Sequence, residues 1–244
     1  MSGNLAYFHG LPGGTGEWSF FAPQGLHASA WLPDRNRGGE VDGEFLARFP
    51  AGGAHLVGFS LGAPIALRLA ARYPDRVERI TLVSPGAPLQ LGDFLSQMAG
   101  GPLFRMAAQS PRLFAAVAGA ERLLARAAPA FLADRLFASA AGEDAALARD
   151  PAFRSAMAGV LRQGLGASTR GFVDEVAAYV ADWRAVLCEV RAPVTIWQGN
   201  ADNWTPPAMA RALAAALPGE VDLREIEGTS HYSTLARALA ELAA

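Results

Sequence analysis

The sequence predicts an α/β protein: a mostly parallel sheet with crossover helices, interrupted by one helical insertion. Three observations carry this. Short apolar runs alternate with helical patterns over residues 1–87 and again over 186–244, as parallel strands joined by crossover helices require. From Leu89 to about Ala185 no convincing strand occurs, and the chain is Ala-rich with helical periodicity. One strand-to-helix junction reads Gly58-Phe59-Ser60-Leu61-Gly62, a Gly-x-Ser-x-Gly pentapeptide. The expected organisation is a core of residues 1–87 and 186–244 with a helical cap over 88–185.

Taken in order, Leu5-Ala6-Tyr7-Phe8 reads as a strand that stops in the loop His9-Gly10-Leu11-Pro12-Gly13-Gly14. A glycine-rich strand end is a common place for a site in such a sheet. Thr15 is placed to cap a helix carrying Trp18, Phe20 and Phe21. Ala28 to Leu32 reads as a second strand, closed by the turn residues Pro33 to Gly39. Glu40 to Phe49 reads as a brief helix, with Val41, Phe45 and Phe49 on one face. Ala54 to Phe59 leads into the serine, and Ala63 to Ala70 leads out as a helix. Arg79 to Ser84 is the next buried strand, ended by Pro85-Gly86.

Within the Ala-rich segment, Ser110-Pro111, Asp150-Pro151 and Ser168 mark helix starts. Phe172, Val176, Tyr179, Val180 and Trp183 form a stripe that packs on the core. Strand character returns at Pro193 to Gln198, before the loop Gly199-Asn200-Ala201-Asp202. Thr205-Pro206 then reads as the cap of a helix reaching about Leu217. Val221 to Ile226 alternates apolar and polar and is the last strand. Gly228-Thr229-Ser230-His231 is its terminal loop, and a short helix ends the chain.

Composition removes several chemistries. All 21 basic residues are Arg, so Schiff-base, P-loop and Ser-Lys mechanisms have no lysine. A net charge of −2 gives no footprint for nucleic acid. Cys188 is the only cysteine, and His9, His27, His55 and His231 have no paired spacing, so neither a metal nor another cofactor is expected. The start of the chain lacks a secretory pattern, and no apolar run is long enough to span a bilayer, so the expected location is cytoplasmic. In 88–185, ten Arg face nine Asp plus Glu, a near balance that gives a membrane-surface role little support.

A serine hydroxyl needs a base to take its proton, a carboxylate to orient that base and N–H donors for the oxyanion that forms. His231 is the only histidine after Ser60. It and Asp202 each follow a predicted strand, which in a parallel sheet is the edge that carries Ser60. Asp93, just after the strand that follows Ser60, is the second-choice acid; Glu225 and Glu227 are further alternatives.

The order Ser60, Asp202, His231, together with His9-Gly10-Leu11-Pro12-Gly13 and Gly58-Phe59-Ser60-Leu61-Gly62, resembles the α/β-hydrolase superfamily in its small, capped serine-hydrolase branch. The resemblance implies an α/β-hydrolase fold and a catalytic triad of Ser60, His231 and Asp202. By position it implies oxyanion-hole donors at the Leu11 and Leu61 backbone N–H groups, with His9 shaping the loop. Phe59, Trp204 and Tyr232 are pocket candidates; the cap's Phe, Met and Leu content suggests an apolar acyl or alcohol group. Two departures stand out. Family members usually carry two earlier antiparallel edge strands, so the sheet is expected to be shortened at its N-terminal edge, which a second copy would cover in a homodimer and leave open in a monomer. Phe59 and Leu61 differ from the tryptophan common in the proline-iminopeptidase branch, which disfavours peptides. The resemblance implies hydrolysis of a small or medium ester, thioester or lactone. Acyl transfer or carbon–carbon bond hydrolysis on the same triad, and ligand binding without turnover, are the alternatives.

Overall fold

The computed structural model describes residues 4–27, 30–36, 38 and 41–244. Its strands are β1 (Leu5–Phe8), β2 (Ala30–Trp31), β3 (Ala54–Phe59), β4 (Val77–Val83), β5 (Val194–Gly199) and β6 (Val221–Ile226). They form one sheet in the order β2-β1-β3-β4-β5-β6, and every described pairing is parallel. All six residues of β3 are buried. A strand covered on both faces reads as a near-continuous apolar run, as Ala54 to Phe59 does but for His55, whose ring lies 2.8 Å from the Thr81 hydroxyl of β4. β6 lies at an edge and half exposes itself, which accounts for its alternation.

The helices joining these strands are α1 (Gly16–Phe21), α2 (Gln24–His27), α3 (Val41–Arg48) and α4 (Ala63–Arg72). Between β4 and β5 run α5 (Gly101–Gln109), α6 (Pro111–Ala127), α7 (Pro129–Leu136), α8 (Asp144–Leu147), α9 (Pro151–Gln163) and α10 (Arg170–Val180). Finally, α11 (Pro207–Ala216) joins β5 to β6, and α12 (His231–Leu242) ends the chain. Asp150 caps α9 by accepting the Ala152 N–H at 2.8 Å, the role its position before Pro151 suggests. Phe172, Val176 and Tyr179 of the α10 stripe are buried, and so is Trp183 beyond the helix end. One apolar core runs from Leu56 and Ile80 of the sheet into Phe114, Ala118 and Phe172.

Several local expectations need correction. The second strand keeps only Ala30 and Trp31, paired with Leu5 and Ala6; Ala28 and Ser29 lie outside the described residues, as do Arg37, Gly39 and Glu40. Thr15 precedes α1 without a side-chain capping bond. Thr205 does not cap α11 either; Pro206 occupies that position. His231 is the first residue of α12, not part of the loop before it. Ser230 and Ser233 form a reciprocal capping box there, which starts the helix earlier than the glycine-rich loop suggests.

A buried ion pair ties the helical segment to the sheet. Arg35, 1% exposed, lies in the stretch after β2, bonds Glu175 of α10 and donates to the His9 carbonyl. Burial raises the Glu175 pKa, and Arg35 and Arg68 only partly offset that.

Candidate active site

Ser60 sits where β3 ends and α4 is about to begin, with φ of +53°. Its two flanking glycines have steric reasons. A Cβ on Gly58 would lie 2.8 Å from the Ala63 Cα, and one on Gly62 would lie 2.0 Å from the Phe8 carbonyl oxygen. The turn can therefore be this sharp only with glycine on both sides. Gly62→Ala is expected to lower stability by about 3 kcal/mol, since backbone must shift to admit the methyl group. Urea unfolding measures this; an unchanged midpoint would remove the steric account.

The strands being parallel, the C-terminal ends of β1, β3, β5 and β6 share one edge of the sheet. The loops after β1 and β5, with α12 after β6, bring Leu11, Asp202 and His231 towards Ser60. His231 Nδ1 lies 2.8 Å from Asp202 Oδ2. Asp202 Oδ1 accepts the Trp204 and Thr205 N–H groups at 2.8 and 3.0 Å. Burial pushes the Asp202 pKa up; His231 and these N–H donors outweigh it, and the net shift is downward. An ionised Asp202 makes Nδ1 the protonated nitrogen of a neutral His231 and leaves Nε2 as an acceptor. Among the described residues Ser60 Oγ makes no hydrogen bond to His231, but the ring of its neighbour Phe59 packs 4.7 Å from the imidazole.

Two residues that the sequence did not mark as part of the site hold this pair. The Thr205 hydroxyl lies 3.1 Å from Asp202 Oδ2, 3.0 Å from the Ser84 carbonyl and 3.3 Å from His231 Nδ1. Asp144 of α8 accepts the N–H groups of Tyr232 and Ser233 at 2.8 and 2.7 Å. It thereby anchors the first turn of α12, on which His231 sits, and places a carboxylate where the helix dipole favours one.

The loop after β1 is held by buried polar groups. Glu17 Oε2 accepts the Tyr7 hydroxyl and the Gly10 N–H, each at 3.2 Å. Burial raises its pKa from the ordinary 4.5 to about 7. His9 is driven the other way: burial, then Arg35, lower its pKa to about 3, so the ring is neutral. For Glu17 the folded state holds its proton more tightly than the unfolded chain. Its stabilising contribution is therefore present below pH 4.5 and is lost as pH rises through about 7. Glu17→Gln should match the parent near pH 4 and exceed it by about 3 kcal/mol near pH 8. Urea titrations at both pH values measure the difference; a gain independent of pH would exclude the ionisation as its cause.

Above Ser60 lies a cavity of about 340 Å³ between the sheet edge and the helical segment. Leu11, Ser60, Leu61 and Trp204 line it, with Met98, Phe104, Phe114, Val117 and Leu165 among the apolar walls and Glu121 and Arg135 among the polar ones. Leu61 is in the first turn of the short 3-10 helix Ser60–Gly62, where N–H groups have no partner within the helix. Phe59 and Tyr232, expected in the pocket, do not line it. Both are buried, and both pack against the His231 ring in an aromatic cluster with Phe137 and Trp204. Asp93 is exposed, and the acid on His231 is Asp202. Among the described residues no group of three His, Cys, Asp or Glu side chains is placed to hold a metal ion.

A family model described as alpha/beta hydrolase fold matches residues 40–237. None of the curated protein sequences matches the chain. Among solved structures, the chain is similar to a bromoperoxidase from Bacillus anthracis at TM-score 0.67 and 17% identity, covering 98% of this chain and 88% of that one. It is also similar to Est816, described as an N-acyl homoserine lactone degrading enzyme, at TM-score 0.65 and 19% identity, covering 100% and 91%. A thermophilic esterase from Thermogutta terrifontis matches at TM-score 0.64 and 16% identity, over 99% and 90%.

Proposed function

Because the chain belongs to the alpha/beta hydrolase fold family, we propose that it is a serine hydrolase that cleaves a small or medium apolar ester, thioester or lactone. The observation that carries the reading is the buried His231–Asp202 pair, 2.8 Å apart, packed against Phe59 next to a serine on the cavity floor. In the proposed cycle Ser60 Oγ attacks the acyl carbonyl and His231 Nε2 takes its proton. Asp202 keeps Nδ1 protonated and stabilises the imidazolium. The Leu11 and Leu61 N–H groups receive the oxyanion, an interaction whose removal typically costs about 100- to 1000-fold in rate. His231 hands the proton to the leaving group, and the acyl-enzyme then reacts with water that His231 activates.

Support for the substrate class comes from the cavity. Its walls are mostly apolar and its volume, about 340 Å³, is at the small end for a ligand site. In this reading the segment 88–185 is a cap that roofs the cavity. The lactone-degrading and esterase descriptions of two structural neighbours agree with it. The test is labelling by a fluorophosphonate, followed by rates on p-nitrophenyl esters of increasing acyl length. The expected result is stoichiometric labelling and a preference for short to medium chains. A folded protein that takes no label and turns over no ester, thioester or lactone would end the proposal.

A further inference from the structure

The near balance of charge in the helical segment conceals a segregation. Glu121, Asp134, Asp174 and Asp182 pair with Arg135, Arg154, Arg170 and Arg184. Glu143 and Glu175 pair with Arg237 and Arg35 of the sheet portion. Asp144 and Asp150 accept backbone N–H groups. Asp93 is exposed and has no arginine partner among the described residues. Arg105, Arg112, Arg122, Arg126, Arg149 and Arg162 have no carboxylate partner among the described residues.

Four of the six, Arg112, Arg122, Arg126 and Arg162, lie on or beside one face of α6. α6 turns 100° per residue, so positions 113, 116, 120, 123 and 127 form one stripe along it and 112, 115, 119, 122 and 126 form the adjacent stripe. The first stripe is Leu-Ala-Ala-Leu-Ala and all five residues are exposed. Leu113 and Leu123 stand at 54% and 68% exposure, and Phe131, just past the helix end, at 56%. The second stripe carries Arg112, Arg122 and Arg126. Arg122 and Arg126 share an open recess with Arg162 of α9, floored by Gly166 and Ala167. Arg122 is fixed there by donating to the Gly166 and Ala167 carbonyls, each at 3.3 Å. The single acid of α6, Glu121, points the other way and lines the cavity above Ser60.

An exposed apolar stripe beside a row of arginines is the pattern of a helix that lies in a lipid interface: the apolar side chains enter and the guanidinium groups hold phosphate. A second copy of the chain is a poorer occupant. In a two-fold contact the same patch meets itself, bringing arginine against arginine with no acid on the face to neutralise them. We infer that the outer face of α6, with the Arg122–Arg126–Arg162 recess, docks the protein on an anionic phospholipid surface. Among the described residues no helix is long and apolar enough to cross a membrane, so the contact is peripheral.

The test uses Ser60→Ala protein, so that lipid hydrolysis cannot intervene and the result is independent of the proposed triad. Vesicles of phosphatidylcholine alone, and of phosphatidylcholine with phosphatidylglycerol at roughly three to one, are floated with the protein at low and high salt. The expected result is flotation with the anionic vesicles only, weakened by salt. Arg126→Glu/Arg162→Glu should reduce that binding at least about tenfold, and Leu123→Glu, which removes an apolar contact and adds a negative charge to the face, should reduce it too. These positions are exposed, and circular dichroism checks that the variants fold. Equal binding to both vesicles, or none, overturns the inference. So does tight binding of inorganic phosphate without flotation, or a concentration-dependent dimer that Leu123→Glu dissolves.

Discussion

Ser60→Ala should lower kcat on a preferred p-nitrophenyl ester by about 10⁶-fold and abolish fluorophosphonate labelling. The size follows from what is lost. Without Oγ there is no acyl-enzyme, and what remains is water attack assisted by oxyanion donors and binding. The change removes one oxygen atom from a residue already held at φ +53° by its neighbours, so the melting temperature should hardly move. Burst kinetics should vanish with the label. A variant that retains more than a small part of the parent's rate would show that another group attacks the substrate, and Ser60 would then be a turn residue.

Asp202→Asn should lower kcat by about 10⁴-fold near neutral pH with KM little changed. Asn can still accept the Trp204 and Thr205 N–H groups through its carbonyl. Its amide then donates towards His231 Nδ1, so that nitrogen becomes the acceptor and Nε2 keeps the proton; the histidine is in the wrong tautomer to take one from Ser60. Stability gives a second readout. The folded pKa of Asp202 lies below its ordinary 3.8. Its contribution is therefore present above pH 3.8 and is lost as pH falls through the lower folded value. The parent should lose stability relative to Asp202→Asn in that acid range. Asp93→Asn is the control and should leave kcat unchanged; a large loss there with a mild loss at Asp202 would reassign the acid.

What the sequence revealed divides by range. β1, β3, β4, β5 and β6 were legible because buried parallel strands are short apolar runs that end in turn residues, a signal contained within a few residues. The Gly-x-Ser-x-Gly turn was legible because its glycines answer clashes within the turn itself and with β1. What escaped depends on contacts between distant parts of the chain. Nothing in the sequence marks Glu17, whose carboxylate is buried and accepts the Gly10 N–H. Arg35 and Glu175 look like ordinary surface charges until the fold closes them into a buried pair. Thr205 matched a helix-cap pattern, and only the approach of Asp202 and Ser84 gives its hydroxyl another use. The stripe on α6 escaped for a related reason: a count of charges does not record which arginines have partners.

The strand order also sets a sequence of events in time. Ser60 and its turn need only β1, β3, β4 and α4, all complete by Val83, whereas β4 waits until Val194 for the neighbour on its other side. During synthesis the buried strand Val77–Val83 therefore stands as an unpaired edge while the whole helical segment emerges, and non-local pairing of this kind is slow and prone to aggregation. Asp202 and His231, the acid and base of the proposed triad, follow the last two strands. A nascent or truncated chain can thus hold a well-made Ser60 turn without the proposed base beside it. Recovery of activity on refolding would report completion of the β5–β6 edge, and should lag behind the recovery of helical signal.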